Sequence, residues 1–115
     1  MFDRDTGQSW DNVFETIADK TLDTMLDRID NDLGDEIDVD LNAGILNIEF
    51  SNGAQYVISK NAPNCEIWRS SPLSGASHYY LEDDLKTWVD TRNGEKLFEK
   101  LAEELSRGSL KSFTF

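Results

Sequence analysis

The sequence predicts an α+β fold of two layers, with two helices packed on one face of an antiparallel sheet of about six strands. Three observations support this prediction: a long apolar pattern of helical period near the start, short segments of alternating polarity in the middle, and a second helical pattern near the end. The length of 115 residues fits one domain, so we expect a single domain over residues 1–115, of which residues 1–8 form an extension.

A first helix is predicted over residues 9–33. The apolar residues of this segment recur at steps of three and one, and a single buried stripe along a helix requires that spacing. Ser9 is expected to cap the start of the helix, and Gly34 is a typical signal for its end.

The sheet is predicted over residues 36–90. Residues 36–41 alternate strictly between acidic and aliphatic side chains, which is typical of a strand with one buried face. Turn signals built on Asn, Gly and Pro separate it from the further strands, which are predicted over residues 45–50, 54–60, 65–70, 77–81 and 86–90. Short strands joined by short turns indicate an antiparallel meander.

A second amphipathic helix is predicted over residues 94–107, with its apolar stripe on Leu97, Leu101 and Leu105. It is expected to end at Gly108, which leaves residues 108–115 as a tail. Because both helices need the same apolar sheet face, the opposite face is expected to meet solvent or a partner.

The composition restricts the classes of partner. The chain has 23 acidic and 11 basic residues, a formal net charge of −12 at pH 7. Such a charge repels nucleic acid and anionic membrane surfaces, and no apolar run reaches the roughly 18 residues that span a bilayer. Metal ions and basic protein surfaces remain as partners. Residues 1–40 hold 13 of the acids and 3 of the bases, a net charge of −10, so the imbalance lies at the start of the chain.

Acidic residues form a row on the first helix. Asp11, Glu15, Asp19, Asp23 and Asp27 recur at every fourth position, beside the buried stripe. The like-charge pairs at this spacing destabilise an isolated helix by about 1–2 kcal/mol in total. Solvated helix faces usually mix charges of both signs, so we weigh two interpretations equally: an ordinary solvated face and a row that binds cations.

The available ligand types limit the chemistry of a site. One cysteine, Cys65, and one histidine, His78, cannot supply the ligands of a structural zinc site, and they give little support to a thiol–imidazole catalytic pair. A calcium loop that starts at Asp30 is rejected, because Asp35 stands at its sixth position and Leu41 at its twelfth. Carboxylates alone suit hard cations held weakly with water, and their spacing does not choose between iron, manganese and calcium.

Trp68 is the second candidate for a functional role. If Ile67 points to the core, strand alternation turns Trp68 to the sheet face that the helices leave open. With Asn64, Glu66 and Arg69 nearby, it would resemble the anchor of a protein interface. The alternative is a tryptophan buried under a loop or lying on the sheet without a partner.

The sequence resembles the frataxin family over residues 10–107. The motifs that carry the resemblance are L-N-A-G-I-L at 41–46, Gly53, Y-V-I at 56–58, P-N at 63–64, I-W at 67–68, S-S-P at 70–72, S-G at 74–75 and W-V at 88–89. The resemblance implies the frataxin-like α+β sandwich, weak binding of ferrous or ferric iron, and a role in iron–sulfur cluster assembly. There the family associates with the cysteine desulfurase and the cluster scaffold protein, and it modulates sulfur transfer or iron delivery.

The resemblance also implies two sets of site residues. Iron would be bound at a set of surface carboxylates, here called the acidic ridge: Glu15, Asp19, Asp23, Asp27, Asp30, Glu36 and Asp38. Partner binding would use Asn64, Glu66, Trp68 and His78. The sequence departs from the family pattern at Lys20, where many relatives carry an acid, and at Glu66, where Gln is frequent.

Several functional alternatives stay open. Ferroxidase and iron-chaperone activities have been ascribed to the family, so a ferroxidase or iron-storage protein is the first alternative and a metal-independent acidic adaptor the second. We expect a non-enzymatic regulator or iron chaperone that is a monomer, with an iron-driven oligomer as the alternative, and without a nucleic-acid or membrane partner. The S-S-P-x-S-G run at 70–75 favours a mitochondrial matrix protein whose presequence is absent over a bacterial cytoplasmic one.

Overall fold

Six strands follow one another in one antiparallel sheet, with a helix before it and a helix after it. The computed structural model describes residues 8–115, with side chains from residue 12 onward, so the predicted extension before residue 8 and the side chain of Asp11 lie outside the described residues. The elements are α1 (Gln8–Leu33), β1 (Ile37–Asn42), β2 (Ile45–Phe50), β3 (Gln55–Asn61), β4 (Glu66–Ser71), β5 (Gly75–Leu81), β6 (Trp88–Asp90) and α2 (Leu97–Ser109). Neighbouring strands pair antiparallel in the order β1-β2-β3-β4-β5-β6. The predicted α+β fold class is therefore confirmed.

The helix α1 packs on the sheet through the predicted apolar stripe. The buried side chains of this stripe are Phe14, Ala18, Leu22, Met25, Ile29 and Leu33. The described part of the helix already includes Gln8, so Ser9 lies inside the helix and its expected role as the N-cap is wrong. The end at Leu33 is as predicted, and the amide of Gly34 donates to the carbonyl of Asp30 at 3.0 Å.

Strand alternation divides the sheet into a face that packs on the helices and an open face. In β4, Ile67 is buried in the core, as predicted, whereas its neighbours Glu66 and Trp68 are half-buried on the open face. Core residues of the other strands include Ile37, Leu46, Ile48, Tyr56, Ile58, Tyr79 and Leu81. The α2 residues Leu97, Leu101 and Leu105 belong to the same core.

Arg69 was expected near Trp68 on the open face, but it lies on the face that packs on the helices. Successive residues of a strand point to opposite faces, so Arg69 and Trp68 lie on different sides of the sheet. Its side chain is 2% exposed, and its Nη1 atom lies 3.3 Å from Oε2 of Glu104, a fully buried residue of α2. Glu104 also accepts hydrogen bonds from Tyr56, Ser71 and Ser74. Burial opposes ionisation of Glu104, but these hydrogen bonds and the charge of Arg69 outweigh it and lower the pKa of the carboxyl group.

The bounds of α2 differ from the prediction at both ends. The helix begins at Leu97 instead of residue 94, and it continues through Gly108 to Ser109. A side chain at position 108 would overlap ring carbons of Phe50, so the glycine allows a close approach of helix and sheet and does not end the helix. The helix ends where Leu110 adopts a left-handed conformation with φ of 61°.

The tail after α2 folds back onto the helices. Phe113 is buried in the core, and its backbone amide and carbonyl are both hydrogen-bonded to the Oγ atom of Ser106. The ring of Phe115 packs against that of Phe98 in α2, with centroids 5.1 Å apart. Arg28 of α1 donates to the carbonyl oxygen of residue 114 at 2.9 Å. These contacts join the tail to both helices.

Candidate functional site

The acidic ridge lies on the solvent side of α1 and extends to the first strand. On α1, Glu15 is half-buried, and the other ridge residues are exposed. Glu36 lies in the turn after the helix, and Asp38 is exposed on β1. The ridge acids do not converge on one point. Among the described residues, no group of three or more His, Cys, Asp or Glu side chains is close enough to hold one metal ion.

Lys60 is paired with two acids at the N-terminal end of the ridge. It lies near the end of β3, and its Nζ atom is 2.7 Å from Oε1 of Glu15 and 2.9 Å from Oδ1 of Asp19. Hydrogen bonds to Asp19 and then Glu15 raise the pKa of Lys60 above its ordinary value. This contact could not be predicted from sequence spacing, because it joins residues 41 and 45 positions apart across the two layers.

The remaining ridge residues differ in their counter-charges. Glu36 lies 3.1 Å from Nζ of Lys111, in the tail. Four ridge acids have no cationic partner within the part of the chain that the structure describes; they are Asp23, Asp27, Asp30 and Asp38. The longest stretch of ridge acids without an ion pair therefore runs from Asp23 to Asp30, where the one basic residue, Arg28, pairs with Asp32 outside the ridge.

The C-terminal end of α1 concentrates negative charge. The last turn of this helix contains no basic residue. The helix dipole places partial negative charge at this end, so acids there are electrostatically unfavourable. Asp30 lies in this last turn of the helix, and Glu36 lies in the turn that follows the helix. A cation or a basic protein surface would relieve this accumulation.

Three of the four predicted partner-binding residues form one cluster on the open sheet face. The rings of Trp68 and His78 stack with centroids 4.3 Å apart and an interplanar angle of 8°. Nε1 of Trp68 donates to Oε1 of Glu66 at 2.8 Å, and Nδ1 of His78 lies 3.8 Å from the same oxygen. Asn64 is exposed in the turn before β4, where its backbone amide donates to Asn61.

Two further large side chains, which were not predicted as site residues, are exposed on the open face beside this cluster. Ile45 is 41% exposed and Tyr80 is 43% exposed. In the sheet register, Ile45 lies opposite Ser59, which in turn lies opposite Trp68. Tyr80 lies opposite Glu66. The alternation within β2 and β5 was the signal that could have placed both residues on the open face.

The comparisons with known proteins agree with this fold. The family model described as a frataxin-like domain matches residues 8–110. The chain belongs to the frataxin-like family. It is 36% identical over 102 residues to mitochondrial frataxin of Caenorhabditis elegans, a match that covers 84% of this chain and 74% of that protein. It is 31% identical over 99 residues to a protein of Thioalkalivibrio sulfidiphilus named iron-sulfur cluster assembly protein CyaY, with 85% of this chain and 92% of that protein covered.

For some relatives, the match covers only part of the relative's length. Mitochondrial frataxin of Dictyostelium discoideum is 35% identical over 99 residues, which are 83% of this chain and 51% of that protein. The chain thus spans about half the length of that relative. No helix in the described residues is long and apolar enough to cross a membrane.

Solved frataxin structures share the architecture. Frataxin from Psychromonas ingrahamii aligns with a TM-score of 0.80 at 24% identity, and the alignment covers 90% of this chain and 95% of that one. At this identity the match shows a shared fold. A trimeric frataxin from Saccharomyces cerevisiae, described as complexed with ferrous iron, aligns with a TM-score of 0.71 at 38% identity, with 83% of this chain and 87% of that one covered.

Proposed function

We propose that this frataxin-like protein binds iron weakly at the acidic ridge and assists iron–sulfur cluster assembly by docking on the cysteine desulfurase and its scaffold protein. The observation that carries the proposal is the run of exposed carboxylates on α1 without a counter-charge in the described residues: Asp23, Asp27 and Asp30. The names of two relatives support it, since one is called an iron-sulfur cluster assembly protein and one yeast frataxin structure is described as complexed with ferrous iron.

The ridge would bind iron as an exchangeable cargo. Carboxylates four positions apart on a helix have Cβ atoms about 5–6 Å apart, so one or two of them can reach the same ion. Water would complete the coordination shell, as is usual for hard cations bound by few carboxylates. In this proposal the ridge residues are Glu15, Asp19, Asp23, Asp27, Asp30, Glu36 and Asp38. Weak and open binding suits a protein that passes iron on.

The open sheet face would dock on the assembly complex. Trp68 supplies a large, flat side chain that is already oriented by the His78 ring and by its hydrogen bond to Glu66. Such pre-oriented aromatic residues are frequent anchors of protein interfaces. Asn64 would add a polar contact at the rim, and the acidic ridge would attract a basic partner surface.

Two other functions are the alternatives. A ferroxidase or iron-storage protein would oxidise ferrous iron with oxygen, and dedicated di-iron sites gather several Glu and His ligands around the metal. The described residues contain no such group. A metal-independent acidic adaptor would use the ridge only to bind a basic protein. Oxygen consumption during iron addition tests the first alternative, and partner binding without iron tests the second.

Location and assembly state also belong to the proposal. The relatives from Dictyostelium discoideum and Caenorhabditis elegans are named mitochondrial, which favours the mitochondrial matrix over a bacterial cytoplasm for this protein. We expect a monomer that iron can assemble into oligomers, and the yeast frataxin described as trimeric is a precedent. Sedimentation with and without ferrous iron measures this.

An anaerobic ferrous iron titration followed by amide NMR tests the metal part of the proposal. Iron should broaden amide signals around Asp23, Asp27 and Asp30 first. Asp23→Asn combined with Asp27→Asn should weaken this binding about tenfold or more, if each lost carboxylate removes a charge-assisted contact. The matched control replaces Asp83 and Glu99, two exposed acids outside α1, with Asn and Gln. Equal iron affinity in the ridge variant and the control would refute the ridge as the iron site.

Stimulation of the desulfurase–scaffold complex, measured as sulfide release, tests the docking part. Trp68→Ala should lose most of the stimulation while the protein stays folded, because the side chain is only half-buried on the open face. Leu110→Ala is the matched control, since Leu110 is a 92% exposed apolar residue at the end of α2. Full stimulation by Trp68→Ala would exclude this face as the docking surface.

A further inference from the structure

Lys60 supplies a positive charge to the acidic ridge from within the protein. Its ammonium group is within hydrogen-bond distance of Glu15 and Asp19, and the side chain of Lys60 is 20% exposed. The carboxylates of Glu15 and Asp19 therefore already have a cation between them. Asp23, Asp27 and Asp30 have no cationic partner in the described residues, so this end of the ridge differs from the other.

The turn between β1 and β2 contacts Lys60 and leaves space for its side chain. The amide of Lys60 donates to the carbonyl of Gly44 at 2.9 Å, and the aliphatic part of the lysine passes over this glycine. A Cβ atom at position 44 would lie 3.2 Å from Cε of Lys60. Gly44 and Ala43 both have positive φ, of 78° and 52°, as a two-residue hairpin turn of this kind requires. The turn thus leaves room for the lysine to reach α1.

We propose that Lys60 is a specificity-determining residue that occupies the Glu15–Asp19 end of the ridge as an internal counter-ion, so that divalent metal ions bind first at Asp23, Asp27 and Asp30. This inference rests on the proposed metal-binding function of the ridge. A metal ion at Glu15 and Asp19 must displace the lysine, which stays tethered next to both carboxylates. At the other end of α1 a metal ion displaces only water.

The size of the effect follows from the two ion pairs. A partly exposed ion pair shifts an equilibrium by up to about fivefold, so two of them shift it by up to about twenty-five-fold. The Lys60 side chain is mostly buried and directed at both acids, which places the expected effect near the middle of this range. We therefore expect metal affinity at Glu15 and Asp19 to rise about tenfold when the charge of Lys60 is removed.

The test is a Mn²⁺ titration of the full chain, followed by amide NMR. Mn²⁺ prefers oxygen ligands, broadens nearby signals and does not oxidise in air as ferrous iron does. The amides of Glu15 and Asp27 are about 18 Å apart along a straight helix, so the two ends can be distinguished. In the wild type, signals around Asp27 and Asp30 should lose half their intensity at about tenfold lower Mn²⁺ than the signal of Glu15, the ridge residue on α1 that lies farthest from them.

Three variants isolate the role of Lys60. Lys60→Gln and Lys60→Met both remove the charge, and the methionine keeps an apolar chain over Gly44 in case the glutamine disturbs the fold. Each should lower the Mn²⁺ concentration needed at Glu15 and Asp19 about tenfold. Lys20→Gln is the matched control: it makes the same change in net charge on α1 itself, where Lys20 is exposed and has no ion pair within the described residues. It should change the midpoint less than about twofold.

The possible outcomes separate this inference from the proposed function. If Mn²⁺ binds along the ridge but the Lys60 variants behave like Lys20→Gln, or if the wild type fills Glu15 and Asp19 first, the role of Lys60 is refuted and the ridge remains a metal-binding surface. If Mn²⁺ broadens no ridge signal in any variant, the metal part of the proposed function fails, and this inference fails with it. A selective gain at Glu15 and Asp19 supports both.

Discussion

Replacing Glu104 with Gln should lower the free energy of unfolding by about 3 kcal/mol, the low end of the range for removing one partner of a buried ion pair. Glu104 is fully buried, and its Oε2 atom lies 3.3 Å from Nη1 of Arg69, whose side chain is 2% exposed. A neutral amide can keep part of the hydrogen bonding from Ser71 and Ser74, but it leaves the guanidinium charge without its counter-charge. For a chain of 115 residues this loss corresponds to a decrease in Tm of about 12 °C.

The loss should depend on pH in one direction. Burial opposes ionisation of Glu104, yet hydrogen bonds from Ser71, Ser74 and Tyr56 and the charge of Arg69 lower its pKa in the folded protein. A carboxyl group with a lowered pKa contributes its full stability above its unfolded value of about 4.3, and this contribution disappears as the pH falls through the folded value. The difference between wild type and Glu104→Gln should therefore be largest near neutral pH and should shrink below about pH 4.

Urea unfolding at several pH values, followed by tryptophan fluorescence, measures this difference. Glu103→Gln is the matched control: its side chain is 52% exposed and forms an ion pair with Arg107, so its removal should reduce stability by less than about 1 kcal/mol. Replacing Arg69 and Glu104 together with Leu should restore much of the loss, because no buried charge then remains unpaired. Equal losses for Glu104→Gln and Glu103→Gln, or a difference that does not change with pH, would refute the reasoning.

Three further predictions concern the helices and the tail. Asp23→Asn together with Asp27→Asn should raise the free energy of unfolding by about 0.6–1.5 kcal/mol, because like-charge contacts along α1 disappear; a lower Tm in calorimetry at low salt would contradict this. Gly108→Ala should reduce stability by about 1–3 kcal/mol, although alanine usually favours a helix, because the new methyl group would overlap the Phe50 ring; a higher urea midpoint would be incompatible with that close approach. Phe113→Ala should reduce stability by about 3–5 kcal/mol, since the ring is 4% exposed; an unchanged urea midpoint would show that the tail does not stabilise the core.

The fold could be predicted where local pattern and global packing coincide. The apolar stripe of α1 and the alternation of β1 are periodic over several residues, and both predict which side is buried without knowledge of the partner element. The end of α2 could not be predicted in this way. Gly108 is a common helix-ending signal, but here the glycine is required by the distance between α2 and Phe50, which only the packed structure determines.

The parts of the candidate site that follow from periodicity could be predicted from the sequence, and the contacts between distant segments could not. The acids on one face of α1 and the outward direction of Trp68 both follow from periodicity. Arg69 was wrongly placed beside Trp68, because nearness in sequence was given more weight than strand alternation. The contact of Lys60 with Glu15 and Asp19 depends on how β3 lies against α1, and no spacing within either segment contains that information.

The distribution of counter-charges along the acidic ridge indicates that these acids do not serve the folding stability of the protein. Lys60 and Lys111 pair with ridge acids at the start of α1 and after its end. Asp23, Asp27 and Asp30 lie between them without a cationic partner among the described residues, and the helix dipole disfavours negative charge towards the C-terminal end of α1. By contrast, α2 has a basic residue in its last turn, as stability favours. We therefore propose that a bound cation or a basic partner supplies the positive charge that is absent beside these three acids.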